Sequence, residues 1–225
     1  MSAFSAFDEA RQNMLFGQLI CNRIQNTALL DAMASVRREL FVSERLRGKA
    51  YADEPIPVGR SLMFSPLMLA NLIVLADVKA DDFVLNLHAG TGYSTAVLAQ
   101  MAHAVVALED DSALCENAER ILIDAKTDNA ALFNRASESG FLEQAPFDVI
   151  FIDGTVPRIP DEVTNQLGDG GRLVAVLSVP GEPAGQAVKI VKNNGILSCT
   201  KAFDVDLTVL NRARTYKKFV FEGIS

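Results

Sequence analysis

The residues from Phe83 to Tyr93, with the sequence FVLNLHAGTGY, constrain the fold of this chain more than any other stretch. A short apolar run leads into a turn that contains Gly90 and Gly92, and the residues at 94–101 then have the composition of a helix. Glycines allow the backbone of such a turn to approach a ligand, and the first turn of a helix offers free N–H groups. A buried strand, a glycine turn and a helix together predict a ligand site at the carboxyl edge of a doubly wound α/β sheet.

Beyond this stretch, short apolar runs alternate with helical segments, which predicts a mostly parallel sheet with helical crossover connections. The predicted elements, in chain order, are a strand at Phe83–Leu87, a helix at 93–101, a strand at Ala104–Leu108, a helix from Ser112, strands at Ala130–Phe133 and Phe147–Ile152, a helix from Pro160 to Leu167, and a strand at Arg172–Leu177. An antiparallel hairpin with an Asn-Gly turn is predicted over 187–203, and a last strand at 217–221. We therefore expect a Rossmann-like α/β core over residues 81–225.

Residues 1–80 are expected to add helices and a loop to this core, within a single domain of 225 residues. Apolar residues recur at near-helical spacing over 8–41. Prolines and glycines between Ala50 and Pro66 predict a shaped loop that packs onto the core. Pro66 is then expected to begin a helix that runs to Leu75, because proline is well tolerated in the first helical turn.

Composition excludes several classes of function. The net charge of -7 argues against a nucleic-acid-binding protein, since affinity for phosphate backbones depends on clustered Lys and Arg. Three dispersed cysteines and two histidines indicate neither a disulfide framework nor a metal site. The sequence contains no apolar stretch long enough to span a membrane and no basic segment followed by an apolar run at its N-terminus. We therefore expect a cytoplasmic protein.

Acidic residues follow two of the predicted strands. Glu109 ends the second strand, roughly 20 residues beyond the glycine turn, where a dinucleotide-binding fold places the carboxylate that binds a ribose diol. The alternative is that Glu109 and its two acidic neighbours cap the following helix. Asp153 ends the fourth strand at the edge where such sheets bind ligands, and its alternative role is that of a turn residue before Gly154.

Two further residues are candidates for the site. His88 stands in the turn, where left-handed backbone geometry would strain it. A catalytic histidine is one interpretation, but no serine, cysteine or acidic partner stands at motif spacing. Ser65 precedes Pro66 and either caps the helix, which is the favoured interpretation, or faces the site as a candidate for a catalytic side chain.

The turn resembles the acidic-x-Gly-x-Gly-x-Gly pattern of S-adenosylmethionine (SAM) methyltransferases, with Asn86 at the acidic position and His88 at the first glycine. Over nearly its whole length the chain resembles the protein-L-isoaspartate O-methyltransferase family. The order and spacing of several segments carry the resemblance: Arg11–Met14, Gln18-Leu19, Leu30–Met33, Arg38–Val42, Ala50–Asp53, Ile56-Pro57 with Gly59, Gly90–Ser94, Phe147–Ile150 and Gly170–Val174.

The resemblance implies a SAM-methyltransferase fold, SAM as the cofactor, and methyl transfer to an isoaspartyl carboxylate of a damaged protein or peptide. The residues expected to contact the cofactor are His88, Ala89, Gly90, Gly92, Tyr93 and Glu109. The sequence departs from the family at three functional positions. Ser61–Ser65 replace the family's Gln-Thr-Ile-Ser segment, Asn86 replaces the acidic residue that helps to hold the cofactor's amino end, and Arg135-Ala136 replace a Gly-Asp pair that would reach the adenine.

Two hypotheses follow. An active SAM-dependent methyltransferase, directed to isoaspartyl residues or to another acceptor, is favoured by Gly90, Gly92 and Glu109. A non-catalytic protein that keeps the fold as a binding or interaction module is favoured by the departures from the family, at Phe64, Asn86, His88 and Ala136. A third reading, nucleotide binding without methyl transfer, has no motif of its own. The sequence leaves the oligomeric state open.

Overall fold

The computed structural model describes residues 5–59, 61–178 and 182–207. Its N-terminal segment is helical, as predicted, but is divided into short pieces. Helix α1 (Ala6–Met14) begins with a capping box in which the Ser5 hydroxyl accepts a hydrogen bond from the Asp8 amide at 3.2 Å and the Asp8 carboxylate accepts one from the Ser5 amide at 3.0 Å. The helix continues as a π-helical turn (Leu15–Leu19) and a 3₁₀ turn (Ile20–Asn22). It ends at Arg23, whose left-handed backbone (φ 65°) breaks the helical path.

The chain then runs through α2 (Thr27–Ser35) and two 3₁₀ turns (Arg38–Phe41 and Glu44–Lys49) before it reaches the predicted loop. This loop contains a short antiparallel hairpin of strands β1 (Ile56–Val58) and β2 (Ser61–Met63). Helix α3 (Pro66–Ala76) begins at Pro66, as the sequence predicts.

Seven strands form the central sheet, namely β3 (Phe83–Leu87), β4 (Ala104–Glu109), β5 (Ala130–Asn134), β6 (Phe147–Val156), β7 (Leu167–Ser178), β8 (Ala184–Asn193) and β9 (Ile196–Asp206). Their order across the sheet is β5-β4-β3-β6-β7-β8-β9. The strands β3 to β7 are parallel, whereas β8 and β9 are antiparallel to their neighbours, which confirms the predicted Rossmann-like sheet with a C-terminal hairpin. The hairpin turn has left-handed geometry at Asn194 (φ 49°) and Gly195 (φ 77°), as an Asn-Gly turn requires. The predicted strand at 217–221 lies outside the described residues. The helices between these strands are α4 (Tyr93–Ala99), α5 (Ser112–Asp124) and α6 (Asp161–Thr164), with 3₁₀ turns at Ser137–Ser139 and Leu142–Gln144.

The predicted helix from Pro160 to Leu167 is wrong at its C-terminal end. Helix α6 ends at Thr164, and Leu167 is already the first residue of β7, paired with Phe147 of β6. A register irregularity follows this pair. The backbone at Gly171 is so crowded that an added Cβ would be 2.8 Å from the Gly168 carbonyl oxygen of its own strand and 3.1 Å from the Phe147 carbonyl oxygen of β6. Pairing with a distant strand therefore overrides the local helical preference.

Strand β3 separates the two layers of the core. Its alternate residues Leu85 and Leu87 belong to the cluster that contains Phe147 and Val163, whereas Val84 belongs to the larger cluster built with α1 to α4. Because side chains alternate along a strand, Asn86 shares the face of Val84 and points toward α4. The buried Arg38 joins the N-terminal segment to this layer, since its guanidinium donates to the carbonyl oxygens of Ala50 at 2.6 Å and Phe64 at 2.5 Å.

An ion pair stabilises the end of the sheet opposite the glycine turn, where the parallel strands begin. Arg172 at β7 makes two contacts with the Asp82 carboxylate, at 2.5 Å and 3.1 Å, and also donates to the carbonyl oxygens of Ala76 and Asp77. Both side chains are largely buried. A paired carboxylate and guanidinium in this position fix the end of α3 against the start of β3.

Candidate functional site

The glycine turn between β3 and α4 has left-handed backbone geometry at three residues, namely His88 (φ 57°), Gly90 (φ 58°) and Gly92 (φ 84°). Glycine adopts this geometry freely, but a histidine there costs roughly 1–2 kcal/mol. Hydrogen bonds hold the turn in place. The His88 amide donates to the Ser137 hydroxyl at 3.1 Å, and the Ala89 amide donates to the Leu108 carbonyl at 3.0 Å. Neighbouring strand ends thus fix the strained backbone.

Glu109 is the second anchor of the turn. The residue is 6% exposed, and its carboxylate accepts hydrogen bonds from the Gly90 amide at 2.7 Å and the Asp111 amide at 3.0 Å, one on each oxygen. Burial raises the pKa of Glu109, because a charged group loses hydration there, and the two amide donors oppose this effect. Helix α5 is capped by Asp111 instead, which accepts from the amides of Ala113 and Leu114. Asp111, and not Glu109, is therefore the residue that caps α5, and the ligand-binding role of Glu109 stays a prediction.

A cavity of about 830 Å³ opens at the carboxyl ends of β3, β4 and β6. Ligand pockets commonly have about 300–1,000 Å³, so its size suits a nucleoside-like molecule. The sequence-predicted residues His88, Glu109 and Asp153 line it, whereas its lining does not include Ala89, Gly90, Gly92 or Tyr93. Its lining is strongly acidic. The charged side chains in it are Glu109, Asp110, Asp111, Glu138, Asp153 and Arg158.

Asn86 does not line the cavity but belongs to a buried polar network. Its side-chain amide donates to the hydroxyls of Ser94 at 3.0 Å and Thr95 at 2.9 Å, and its Oδ1 atom has no partner among the described residues. The Ser94 hydroxyl in turn donates a short hydrogen bond to the Asp153 carboxylate. Burial raises the pKa of Asp153 to about 7; the Ser94 bond and the positive charge of Arg38 act in the opposite direction.

Tyr93 lies in the core. The Arg38 guanidinium stands 4.6 Å above the centre of its ring, and the Phe41 ring packs edge-on against it at 5.6 Å. Burial raises the pKa of Tyr93, whose hydroxyl has no partner among the described residues. Its contact with a cofactor stays a prediction. Ser65 also lies away from the cavity, where its hydroxyl accepts from the Met68 amide at 3.4 Å as the N-cap of α3.

Sequence reasoning missed Ser137 and the partner of His88. The Ser137 hydroxyl donates to the Leu108 carbonyl oxygen at 3.3 Å and accepts from the His88 amide, so it joins the ends of β3 and β4. The His88 Nδ1 atom lies 3.7 Å from the Asp110 carboxylate, which places an acidic group beside the histidine. Arg135 does not enter the cavity lining, because its guanidinium packs 4.5 Å above the Phe141 ring and contacts Glu143 at 3.0 Å.

The seven-stranded sheet, with its glycine turn and with Glu109 at the end of the neighbouring strand, has the Rossmann-like fold of SAM-dependent methyltransferases. Comparison with known proteins identifies the family within this class. Residues 10–211 match the family described as protein-L-isoaspartate(D-aspartate) O-methyltransferase (PCMT). The chain therefore belongs to the protein-L-isoaspartate O-methyltransferase family.

Individual relatives agree with this assignment. The chain is 39% identical over 175 residues to the protein-L-isoaspartate O-methyltransferase of Methylorubrum populi, a match that covers 77% of this chain and 82% of the relative. It is 36% identical over 199 residues to protein-L-isoaspartate O-methyltransferase 1 of Pelobacter propionicus, covering 86% and 92%.

Solved structures share the fold at lower identity. A protein-L-isoaspartate O-methyltransferase superposes with a TM-score of 0.77 at 23% identity, over 87% of this chain and 64% of the other. A beta-aspartate methyltransferase (PCMT) from Plasmodium falciparum, solved with S-adenosyl-L-homocysteine (SAH), gives a TM-score of 0.73 at 21% identity, over 89% of this chain and 96% of the other.

Proposed function

We propose that this protein is a SAM-dependent methyltransferase that methylates an isoaspartyl carboxylate of a damaged protein or peptide. The observation that carries the proposal is the position of Glu109. Two backbone amides hold its carboxylate at the wall of a cavity of nucleoside size, at the end of the strand that follows the glycine turn. The family to which the chain belongs, and the names of its relatives, support the reaction.

The residues of the cavity fit SAM in shape and charge. Each oxygen of the Glu109 carboxylate accepts one amide hydrogen bond, so each keeps a lone pair for one hydroxyl of a ribose diol. Acidic side chains dominate the charged lining, which suits a ligand that carries a positive sulfonium and an ammonium group. Leu87 and Ile152 supply apolar lining at the ends of β3 and β6. We therefore propose that Glu109 binds the ribose and that His88 and Leu87 form the wall beside it.

The reaction needs positioning more than acid–base chemistry. When bound, SAM supplies an electrophilic methyl group, and the acceptor carboxylate is already a nucleophile at neutral pH. What the chain must do is hold both partners in line and exclude water. Within the cavity lining of the described residues, Arg158 is the one arginine. We propose that it receives the acceptor carboxylate, since a guanidinium binds a carboxylate through two parallel hydrogen bonds.

A specific observation supports the alternative of a non-catalytic binding protein. Asn86 is fully buried and neutral, with both amide hydrogens donated to hydroxyls, so the strand that normally supplies an acidic group to the site supplies none. A degraded site of this kind would bind SAM weakly or not at all. Affinity for SAM thus separates the two functions.

Calorimetric titration of the protein with SAM and with SAH tests the proposal. We expect micromolar binding, weakened by about ten- to a hundredfold in Glu109→Gln because a hydrogen bond to a charged group is lost. Glu116→Gln is the matched control, since Glu116 is an exposed residue of α5 outside the cavity. Methyl transfer from SAM to an isoaspartyl peptide, and not to the same peptide with aspartate, tests the acceptor. Protein that unfolds cooperatively but does not bind millimolar SAH would leave the binding-protein alternative.

Several properties complete the proposal. Across the described residues no helix is both long and apolar enough to cross a membrane. We propose a cytoplasmic, single-domain enzyme that acts on protein and not on nucleic acid. The predicted cofactor residues are still Glu109, His88, Ala89, Gly90, Gly92 and Tyr93, and Ser65 is still the candidate for a catalytic side chain.

A further inference from the structure

The carboxylate of Asp153 is placed differently from the other acidic groups of the cavity. Asp153 lies near the end of β6, the strand next to β3, whereas Glu109 ends β4 on the other side of β3. Both side chains line the same cavity. A ligand that lies across the end of β3 can therefore reach one carboxylate with each of its ends.

Asp153 is oriented by a network that ends at its carboxylate. Ser94 is 1% exposed, and its single hydroxyl proton is donated to the Asp153 Oδ2 atom. The same hydroxyl oxygen accepts from Asn86, which leaves the Ser94 proton free to be donated to Asp153. The other oxygen, Oδ1, accepts no hydrogen bond from the described residues. A carboxylate that is fixed by one oxygen and open at the other is suited to bind a cation.

A structural role as counter-charge to Arg38 does not account for this arrangement. Arg38 is fully buried, but its Nε and Nη2 atoms donate to the main-chain carbonyls of Ala50 and Phe64. No ion pair joins Arg38 to a carboxylate in the described part of the chain. The Arg38 charge stabilises the Asp153 anion from a distance without occupying it. Asp153 therefore remains available to a ligand.

We infer that Asp153 binds the ammonium group of the cofactor's amino-acid end, while Glu109 binds the ribose. This inference rests on the proposed function. Asn86 cannot serve the ammonium group, because it is neutral, is fully buried and lies outside the cavity lining. The Ser94 hydroxyl accepts a hydrogen bond from the neutral Asn86 and donates one to Asp153, so it links these two residues.

Two ligands that differ at one end test the inference. SAH carries the ribose and the amino-acid end, whereas methylthioadenosine carries the ribose alone. By calorimetry at pH 7.5, we expect Asp153→Asn to weaken SAH binding by about ten- to a hundredfold and to leave methylthioadenosine binding unchanged. Ser94→Ala, which removes the group that orients Asp153, is expected to weaken SAH selectively but less. Asp161→Asn is the charge-matched control, because Asp161 is an exposed residue of α6 outside the cavity lining.

The outcomes separate this inference from the proposed function. If the wild-type protein binds SAH and Asp153→Asn binds it equally well, or loses both ligands equally, the assignment of Asp153 is wrong and the proposed function stands. If the wild-type protein binds neither ligand, both are overturned. Thermal unfolding followed by circular dichroism shows that each variant is folded before titration.

Discussion

Replacement of Asp153 by asparagine is expected to stabilise the folded protein near neutral pH. Burial raises the pKa of this carboxyl group to about 7, from an ordinary value of 3.8. Between these two values the folded protein holds a proton that the unfolded chain has released. The free energy of unfolding therefore falls as the pH rises through this interval. Asparagine is neutral, has the same shape and still accepts a hydrogen bond from Ser94, so the variant avoids the cost of charging the buried group.

The size of the effect follows from the interval between the two pKa values. At about 1.4 kcal/mol per pH unit, the full interval corresponds to at most ~4 kcal/mol. Asp153 is only partly buried, so water screens part of this cost and we expect about 2 kcal/mol. The charges that act on the group are Arg38, which favours the anion, and Glu109, which disfavours it. Further ionisable side chains that line the same cavity as Asp153 are His88, Asp110 and Arg158.

Denaturation by urea measures this prediction, with the ligand-free wild-type protein and the variant compared at pH 5 and pH 8. Circular dichroism is the appropriate signal, because the chain contains no tryptophan. The advantage of Asp153→Asn over the wild type should be near zero below pH 3.8, should reach roughly a third of its full value at pH 5, and should grow to about 2 kcal/mol at pH 8. Other titrating groups are common to both proteins and cancel in the difference. Parallel pH profiles would refute the reasoning, and a variant that is less stable at pH 8 would show that Asp153 is a necessary counter-charge for Arg38.

Three further substitutions have expected outcomes. Gly92→Ala should lower the free energy of unfolding, measured by urea denaturation, by about 1–3 kcal/mol. The cause is that Gly92 has φ 84° and an added Cβ would lie 3.3 Å from the Ala118 Cβ atom. Unchanged stability would contradict the left-handed geometry. Ser65→Ala should cost about 1 kcal/mol through the loss of a helix cap and leave SAH affinity unchanged in calorimetry; lost methyl transfer at full stability would return Ser65 to the site. Arg172→Met should cost about 3–5 kcal/mol, because it leaves the Asp82 carboxylate buried without its partner, and a cost below 1 kcal/mol would mean that water reaches Asp82.

The strands of the core were predictable because parallel strands buried on both faces are continuous apolar runs. Phe83–Leu87 is confirmed residue for residue, and the second strand extends one residue further, to Glu109. The start of β7 was not predictable. Its first residue, Leu167, is held by pairing with Phe147, and a contact between such distant residues leaves no local signal in the sequence.

The candidate site, like the fold, could be predicted from the sequence only in part. Glu109 and Asp153 could be found because each directly follows an apolar strand, and the ends of parallel strands meet at one edge of the sheet. The contacts that orient them could not be found. Ser94 and Asp153 are 59 residues apart in sequence, and His88 and Ser137 are 49 apart, although each pair is joined by a hydrogen bond. Such pairs depend on the register of neighbouring strands, which no spacing rule reveals.

The network around Ser94 also explains why an asparagine at position 86 is compatible with a carboxylate at position 153. Ser94 has one hydroxyl proton, and Asp153 receives it. An aspartate at position 86 could not donate to Ser94 or Thr95 as Asn86 does, and it would compete with Asp153 for that proton. Two carboxylates that share one donor raise each other's pKa, so the network holds only one negative charge at low cost.

The double exchange, Asn86→Asp with Asp153→Asn, should therefore place the single negative charge of this network at position 86 on β3 instead of at position 153 on β6. We expect Asn86→Asp alone to lose stability, because it adds a second carboxylate that competes for the Ser94 proton, and the double variant to regain part of that stability. The SAH affinity of the double variant should equal that of Asp153→Asn, since position 86 is fully buried and lies outside the cavity lining. Urea denaturation and calorimetry of the three variants measure both effects. Additive effects of the two substitutions on the free energy of unfolding would show that Ser94 does not couple them, because residues that share a hydrogen-bond network are non-additive.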